Sequence, residues 1–385
     1  MSEASQTKRT ARPGARPLAT HWRRLNGPAR LAGVDLARGL AVLGMFAAHL
    51  LPDSGPFDWG TPATWIDIVN GRSSILFATL AGVSIGLVTG GTRPLAREAM
   101  ATARGRLAVR ALLLWVLGLL LWATGVPVYV ILPAYGILFL LALPLTALDA
   151  RVLFPLAGAL ALVMPFIQVW LDAAPFWRTD EGRAVATVLG WHYPFPVWIA
   201  FVVAGLGLAR AGLRRTRVQL IALASGAVLA VAGYGADAAT GADEASEVFS
   251  FWGAVWTARP HSSGLLEVIG SGGFAIAVIA ASMLVCRTVL VWVVLPLRAV
   301  GAMPLTAYTV QLLVWAWVAT AVLGRPDDLT GFRDLEPFIP LTLWTIVGCS
   351  AWALLIGRGP LEWVFDRASR IVREPSAPDA RAAQP

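Results

Sequence analysis

Asp35, Arg38 and His49 can do chemistry together because all three lie in one apolar run, GVDLARGLAVLGMFAAHLL, from Gly33 to Leu51. Read as a helix, the run brings Asp35 and Arg38 onto one face at a spacing of three. Arg38 and His49, eleven apart, project within about 20° of each other. The rise from Asp35 to His49 is roughly 21 Å, most of a hydrocarbon core of about 30 Å. Charges at one membrane surface and an imidazole near the other suit chemistry conducted across a bilayer. The plainer alternative is an ion pair that fixes the register of the helix, with a histidine at its wet end.

Further candidates cluster at predicted helix ends. Asp67, Asn70 and Arg72 occupy the first turns of the second apolar run, which enters from the side where His49 lies. A histidine beside a carboxylate can take a proton from a hydroxyl or amine, with Asp67 or Asp53 orienting the ring. Arg72 at that depth pairs with a carboxylate or lines a polar cavity. His261, followed by two serines and then Glu267, places an acid-base candidate and a carboxylate at another mouth on the same side. His192, within Trp-His-Tyr, reads as part of an interfacial aromatic belt. At the opposite surface, Arg38 with Arg104, Arg106 and Arg110 can face the phosphates of a donor. Tyr308 and Gln311 open a late span and either bond neighbouring helices or line a substrate path. Four histidines and the two cysteines, Cys286 and Cys349, supply neither a disulfide framework nor a recognisable metal cluster, so no metal is expected.

The elements that position these residues follow from composition. Of 385 residues, 57% are hydrophobic and only 14% charged, and the mean hydropathy is +0.66, which excludes a soluble globular domain. The net charge of +8 comes from arginines beside apolar runs, where the positive-inside rule accounts for them without nucleic acid. The predicted fold is an all-α polytopic membrane bundle of about ten spans, near 33–51, 67–90, 107–123, 127–148, 152–171, 193–211, 218–236, 265–286, 302–323 and 339–356. Arginines crowd alternate connections and acidic residues the others, which predicts an even count with both termini cytoplasmic. The run from Arg287 to Arg298 holds Pro296 and is too short to span, so it is expected to be interfacial or re-entrant. Residues 1–30 read as a disordered basic cytoplasmic tail without a cleavable signal peptide, 31–358 as the membrane domain, 359–373 as an interfacial amphipathic helix and 374–385 as a disordered tail. Small-residue stripes, Ala37, Ala41, Gly44 and Ala48 on the first span and Ala78, Gly82 and Gly86 on the second, predict close helix contacts.

The segments GVDLARGLAVLGMFAAH, NGRSSILFATLAGVSIGL, YPFPVWIAFVVAGLGLAR, PHSSGLLEVIGSGGFAIAV, VGAMPLTAYTVQ and GPLEWVFDRASR, in this order, resemble the bacterial YeiB-like membrane proteins related to heparan-α-glucosaminide N-acetyltransferase. The resemblance covers nearly all of residues 31–370. It implies an acyltransferase of a bacterial inner membrane that takes an acyl group from cytoplasmic acetyl-CoA or another acyl-CoA. The acyl group passes to a sugar or other cell-envelope acceptor, a glycan or lipid-linked molecule, on the outer side. The heparan enzyme is expected to carry its catalytic histidine in the first outer loop. Here that loop, PDSGPFDWGTPATW, has none, so either His49 takes the role, assisted by Asp67 or His261, or the activity has drifted. Asp35, Arg38, Asn70, Arg72, Glu267, Tyr308 and Gln311 are then the expected donor- and substrate-binding residues. The expected partners are the lipid bilayer, acyl-CoA and the acceptor, and a homodimer is compatible with them. The alternative reading is a transporter or exporter of a small or lipid-linked metabolite in which no acyl donor binds.

Overall fold

The computed structural model describes residues 17–28, 30–52, 55, 57–242 and 250–372, and among them the chain is helical with no strand. In chain order the helices are α1 (Pro17–Asn26), α2 (Ala32–Leu50), α3 (Arg72–Val88), α4 (Arg97–Trp122), α5 (Leu132–Ala142), α6 (Ala150–Asp172), α7 (Asp180–Leu189), α8 (Phe195–Ala211) and α9 (Thr216–Thr240). They continue with α10 (Phe251–Val255), α11 (Leu265–Val285), α12 (Leu290–Val293), α13 (Leu295–Ala302), α14 (Pro304–Leu323), α15 (Leu329–Asp334), α16 (Phe338–Leu355) and α17 (Pro360–Ser369). Eight helical stretches are long and apolar enough to cross a membrane, and α5 and α8 are shorter apolar helices beside them. Together these correspond to the ten runs expected from the sequence.

The bundle has a protein-buried centre and a lipid-facing rim. Helices α2 and α3 are buried along most of their length, whereas only a small share of α4, α6, α9 and α16 is buried. The rim exposes Leu112, Leu120, Val231, Trp344 and Val347, an outward apolar surface that lipid tails satisfy. Close helix contact at the centre is set by glycine. A Cβ on Gly82 would lie 2.0 Å from the Val202 carbonyl oxygen and one on Gly205 would lie 1.9 Å from that of Thr79, so α3 and α8 touch backbone to backbone. Gly44 seats Ser73 in the same way, which joins α2 to α3. Gly44 and Gly82 are positions on the stripes read from the sequence.

Helix α5 rises only about 16 Å, because Pro133 starts it and Pro144 follows its end. It therefore depends on neighbours rather than lipid. Leu132, Ala134, Tyr135 and Leu138 are all buried.

The stretch from Arg287 to Arg298 forms α12 and the start of α13, neither of which spans. Gly301 on α13 lies so near α2 that a Cβ there would be 1.7 Å from the Asp35 carbonyl oxygen. One sequence expectation is corrected here. The basic tail does not run unstructured to residue 30, because Pro17–Asn26 is helical. Leu25 is buried, Trp22 stacks on Trp292 at 5.7 Å, and Arg298 donates to the Leu25 carbonyl at 3.1 Å and Asn26 Oδ1 at 2.9 Å. A composition-based reading cannot see a cap supplied from more than 270 residues away. The tail expected over 374–385 lies outside the described residues.

Candidate functional site

Two cavities open at opposite ends of α2. The first, about 430 Å³, is lined at its mouth by Arg24, Arg30, Arg38, Arg110, Arg358, Glu362 and Asp366 and at its depth by Phe77, Leu80, Leu114, Leu132, Tyr135 and Phe139. The second, about 360 Å³, is lined by His49, Asn70, Ser73, Ser74, Tyr129, His192, Tyr193, His261, Tyr308 and Arg333 among others. We refer to these ends as the arginine face and the histidine face. The helices on either side of the described chain, α1 and α17, both contribute to the arginine face through His21, Arg24 and Asp366.

At the arginine face Asp35 is buried and shared. It accepts from Arg30 and, at 3.3 Å, from Arg38, while Arg38 also donates to Ser84 Oγ at 2.6 Å. Asp35 thus fixes two guanidiniums at the mouth without lining the cavity. A second shared carboxylate, Asp366, receives Arg110 at 3.3 Å, Arg358 at 2.5 Å and Arg370 at 2.8 Å. Burial raises the Asp366 carboxyl pKa, but hydrogen bonds from Arg370 and Arg358 outweigh it and hold the group below its ordinary range. Glu362 is committed elsewhere, accepting the Leu305 and Thr306 backbone N–H groups at 2.8 and 3.1 Å at the start of α14, where the helix dipole favours an anion. The mouth therefore carries more guanidinium than carboxylate, a surface for a polyanion.

At the histidine face the helix ends converge. His49, in the last turn of α2, has its Nδ1 3.3 Å from the Gln311 amide on α14 and its ring 6.4 Å from that of Tyr308. The atom placed against Nδ1 is the Gln311 amide nitrogen; with the amide turned over so that Oε1 accepts from an Nδ1–H, the Nε2 lone pair is the one left to accept a proton. Arg333 donates to the His49 carbonyl at 3.2 Å and that of Ala48 at 3.4 Å, capping the negative end of α2.

His261 reaches the cavity from a turn with positive φ, +63° at His261 and +55° at Ser263, which L residues rarely adopt. Glu267 holds that turn. Its carboxylate accepts the His261 and Ser263 backbone N–H groups, each at 2.7 Å, and the Ser262 hydroxyl at 3.2 Å. The His192 ring lies 5.0 Å from that of His261 and stacks on Tyr129 at 3.6 Å. Burial pushes both imidazoles down to about 4, with the neighbouring His261 adding to the effect on His192. Both rings are thus neutral at pH 7. An aromatic cleft of about 780 Å³ lined by Trp122, Tyr129, Trp191 and His192 adjoins the cavity.

The sequence candidates fall into three groups. His49, Asn70, His261 and Tyr308 line the histidine cavity, with Gln311 behind His49. Asp35 and Arg38 belong to the arginine face. Asp67, Arg72 and Glu267 line neither cavity. Arg72 pairs with Asp67, at 3.5 Å to its carboxylate, and donates to Tyr234 Oη at 2.7 Å. The guanidinium lies 4.5 Å from the Tyr234 ring centre, so it faces α9, not His49. The ion pair shown for Asp67 is with Arg72. His192, Arg333, Tyr129 and Tyr135 were not singled out for a site. Trp-His-Tyr beside a span looks like an aromatic belt, and the other three are isolated polar residues. Among the described residues no group of three or more His, Cys, Asp or Glu side chains could hold a metal ion.

A bundle of apolar helices with a basic cavity at one end and neutral imidazoles at the other defines an integral membrane protein with two opposed cavities. The chain belongs to the heparan-alpha-glucosaminide N-acetyltransferase catalytic family, whose pattern matches residues 30–237. A second family, described as proteins of unknown function (DUF418), matches residues 206–371. The two matches meet within α8 and α9, and both cavities draw residues from each. No curated protein matches the chain.

Proposed function

We propose that this protein is a bacterial inner-membrane acyltransferase. Acyl-CoA, with acetyl-CoA the leading donor, binds at the arginine face in the cytoplasm, and the acyl group passes to a sugar amine or hydroxyl at the histidine face. The observation that carries this reading is the pair of opposed cavities on α2, one basic enough for a polyphosphate and the other holding a histidine tied to an orienting amide. The arginine-rich connections at the first face support, by the positive-inside rule, a cytoplasmic side there with both termini on it.

In this reading His49 Nε2 removes the proton from the attacking nitrogen or oxygen. The acceptor then bonds to the thioester carbonyl carbon, the carbon–sulfur bond breaks, and the proton passes to the departing thiolate. Gln311 orients His49, and Glu267 positions His261 through the turn it holds. His192 and His261, uncharged at neutral pH, offer hydrogen bonds to the acceptor without repelling the imidazolium that forms on His49. The aromatic cleft offers flat apolar faces to a sugar ring or a lipid-linked acceptor.

Donor binding is tested by the thermal midpoint of detergent-purified protein with and without acetyl-CoA. Stabilisation in the wild type that is lost in Arg38→Ala supports the assignment. No stabilisation by any acyl-CoA would favour the transporter reading, for which two opposed cavities are also the required geometry.

A further inference from the structure

The two cavities are separated by about one helical turn. On α3, Ser74 lines the histidine cavity and Phe77 the arginine cavity; on α14 the corresponding residues are Tyr308 and Leu305. At the start of α5 the change occurs between consecutive residues, Ile131 and Leu132. Three residues of helix rise only about 4.5 Å, so the barrier is one layer of side chains thick.

Tyr135 occupies that layer. It is fully buried, its ring stacks on Phe77 at 5.6 Å with the planes 11° apart, and its hydroxyl donates to the Ser74 carbonyl at 3.1 Å. The ring thus belongs to one cavity, and its hydroxyl is attached to a residue that lines the other. The acceptor is a carbonyl inside a helix, whose principal partner is the backbone N–H one turn on, so letting go of it leaves no buried carbonyl orphaned.

We propose that Tyr135 is a movable septum: latched to Ser74 it separates the two cavities, and with its ring turned aside it joins them into one passage along α2. This extends the acyl-transfer reading by naming the residue that separates a donor thioester from His49. Tyr135 acts as a positioning residue and takes no part in bond making.

The test needs no acyl transfer, so its outcome is independent of that reading. In full-length protein with Cys286 and Cys349 replaced by serine, Met45→Cys places a single thiol on the wall of the histidine cavity. The protein is sealed into vesicles and treated with a membrane-impermeant maleimide from one side at a time. Exposed controls, Arg151→Cys at the arginine face and Arg325→Cys at the histidine face, report vesicle orientation. With Tyr135 present, the thiol at position 45 is expected to react from the histidine face only. Tyr135→Ala should raise its rate from the arginine face by more than about tenfold. Tyr135→Phe keeps the ring but removes the latch, and should raise that rate by about fivefold, the shift expected when one ordinary hydrogen bond is lost from one side of a two-state equilibrium.

Rapid arginine-face labelling with Tyr135 intact would overturn the proposal, as would no increase in a folded Tyr135→Ala variant. Should that variant fail to fold, Tyr135→Phe decides alone, and an unchanged rate rejects the latch.

Discussion

The two ends of α2 solve the problem of polar groups in a membrane in opposite ways. At the arginine face charge is retained: Asp35 and Asp366 are each shared among guanidiniums and leave an excess of positive charge at the mouth. At the histidine face the titratable rings carry no charge, because burial keeps His192 and His261 unprotonated, Glu267 is consumed by backbone donors, and the one guanidinium lining the cavity among the described residues, Arg333, is spent on backbone carbonyls. A permanently charged surface suits holding an anion. Neutral rings beside His49 suit its accepting a proton, since they do not repel the imidazolium that forms there. The difference suggests that the first end holds its ligand by charge and the second works by exchanging a proton.

The most severe way to break this contrast is His49→Ala. Loss of a general base should lower the transfer rate by about 10²- to 10⁴-fold, while acetyl-CoA still stabilises the protein at the other end. Kinetics of transfer alongside a thermal shift separate the two.

Next is Asp35→Ala, which leaves Arg30 and Arg38 partly buried without their carboxylate. Removing one partner of a buried pair typically costs about 3 kcal/mol or more. Lower yield and a reduced thermal midpoint are expected, with donor affinity falling too.

Glu267→Ala should free the strained turn at His261 and Ser263. A fall in kcat of about tenfold is expected, the lower end for loss of an orienting partner, with the apparent donor affinity unchanged. If donor affinity also fell, Glu267 would serve the whole fold.

The smallest effect expected is on pH dependence. The unfolded histidines titrate near 6.5, and His192 and His261 near 4 in the fold. As pH falls from 6.5 toward 4 the unfolded state binds more protons than the native one, so their contribution to stability declines across that window and is constant above it. Thermal midpoints of the wild type should fall over this interval, and the double variant His192→Gln with His261→Gln should show a shallower fall.

Much of this contrast was legible in the sequence. The apolar runs correspond to the eight helices long enough to span and to the shorter α5 and α8 among the described residues, because length and hydropathy dominate in lipid, and Asp35, Arg38 and His49 could be placed by helical arithmetic on a single element. Azimuth between elements was not legible. Arg72 and Asn70 are two residues apart, yet Arg72 faces Tyr234 on α9 while Asn70 lines the cavity that holds His49, and only packing decides which. His192 was hidden because its value depends on His261, 69 positions later in the chain. Tyr135 was hidden because one hydroxyl in an apolar run gives no sign of the carbonyl it will reach. The helical segment before α2 was missed for the same reason, since its partners Arg298 and Trp292 belong to another part of the sequence.

The most direct test of the central claim is sidedness of transfer. Sealed vesicles with the arginine face outward are given radiolabelled acetyl-CoA outside and cell-envelope glycans and lipid-linked sugars inside, using wild type and His49→Ala. The account predicts label on an enclosed acceptor with wild type and none above background with the variant, although both bind the donor. Undiminished transfer by folded His49→Ala, or no transfer by wild type across the panel of acceptors and acyl-CoAs, would contradict it.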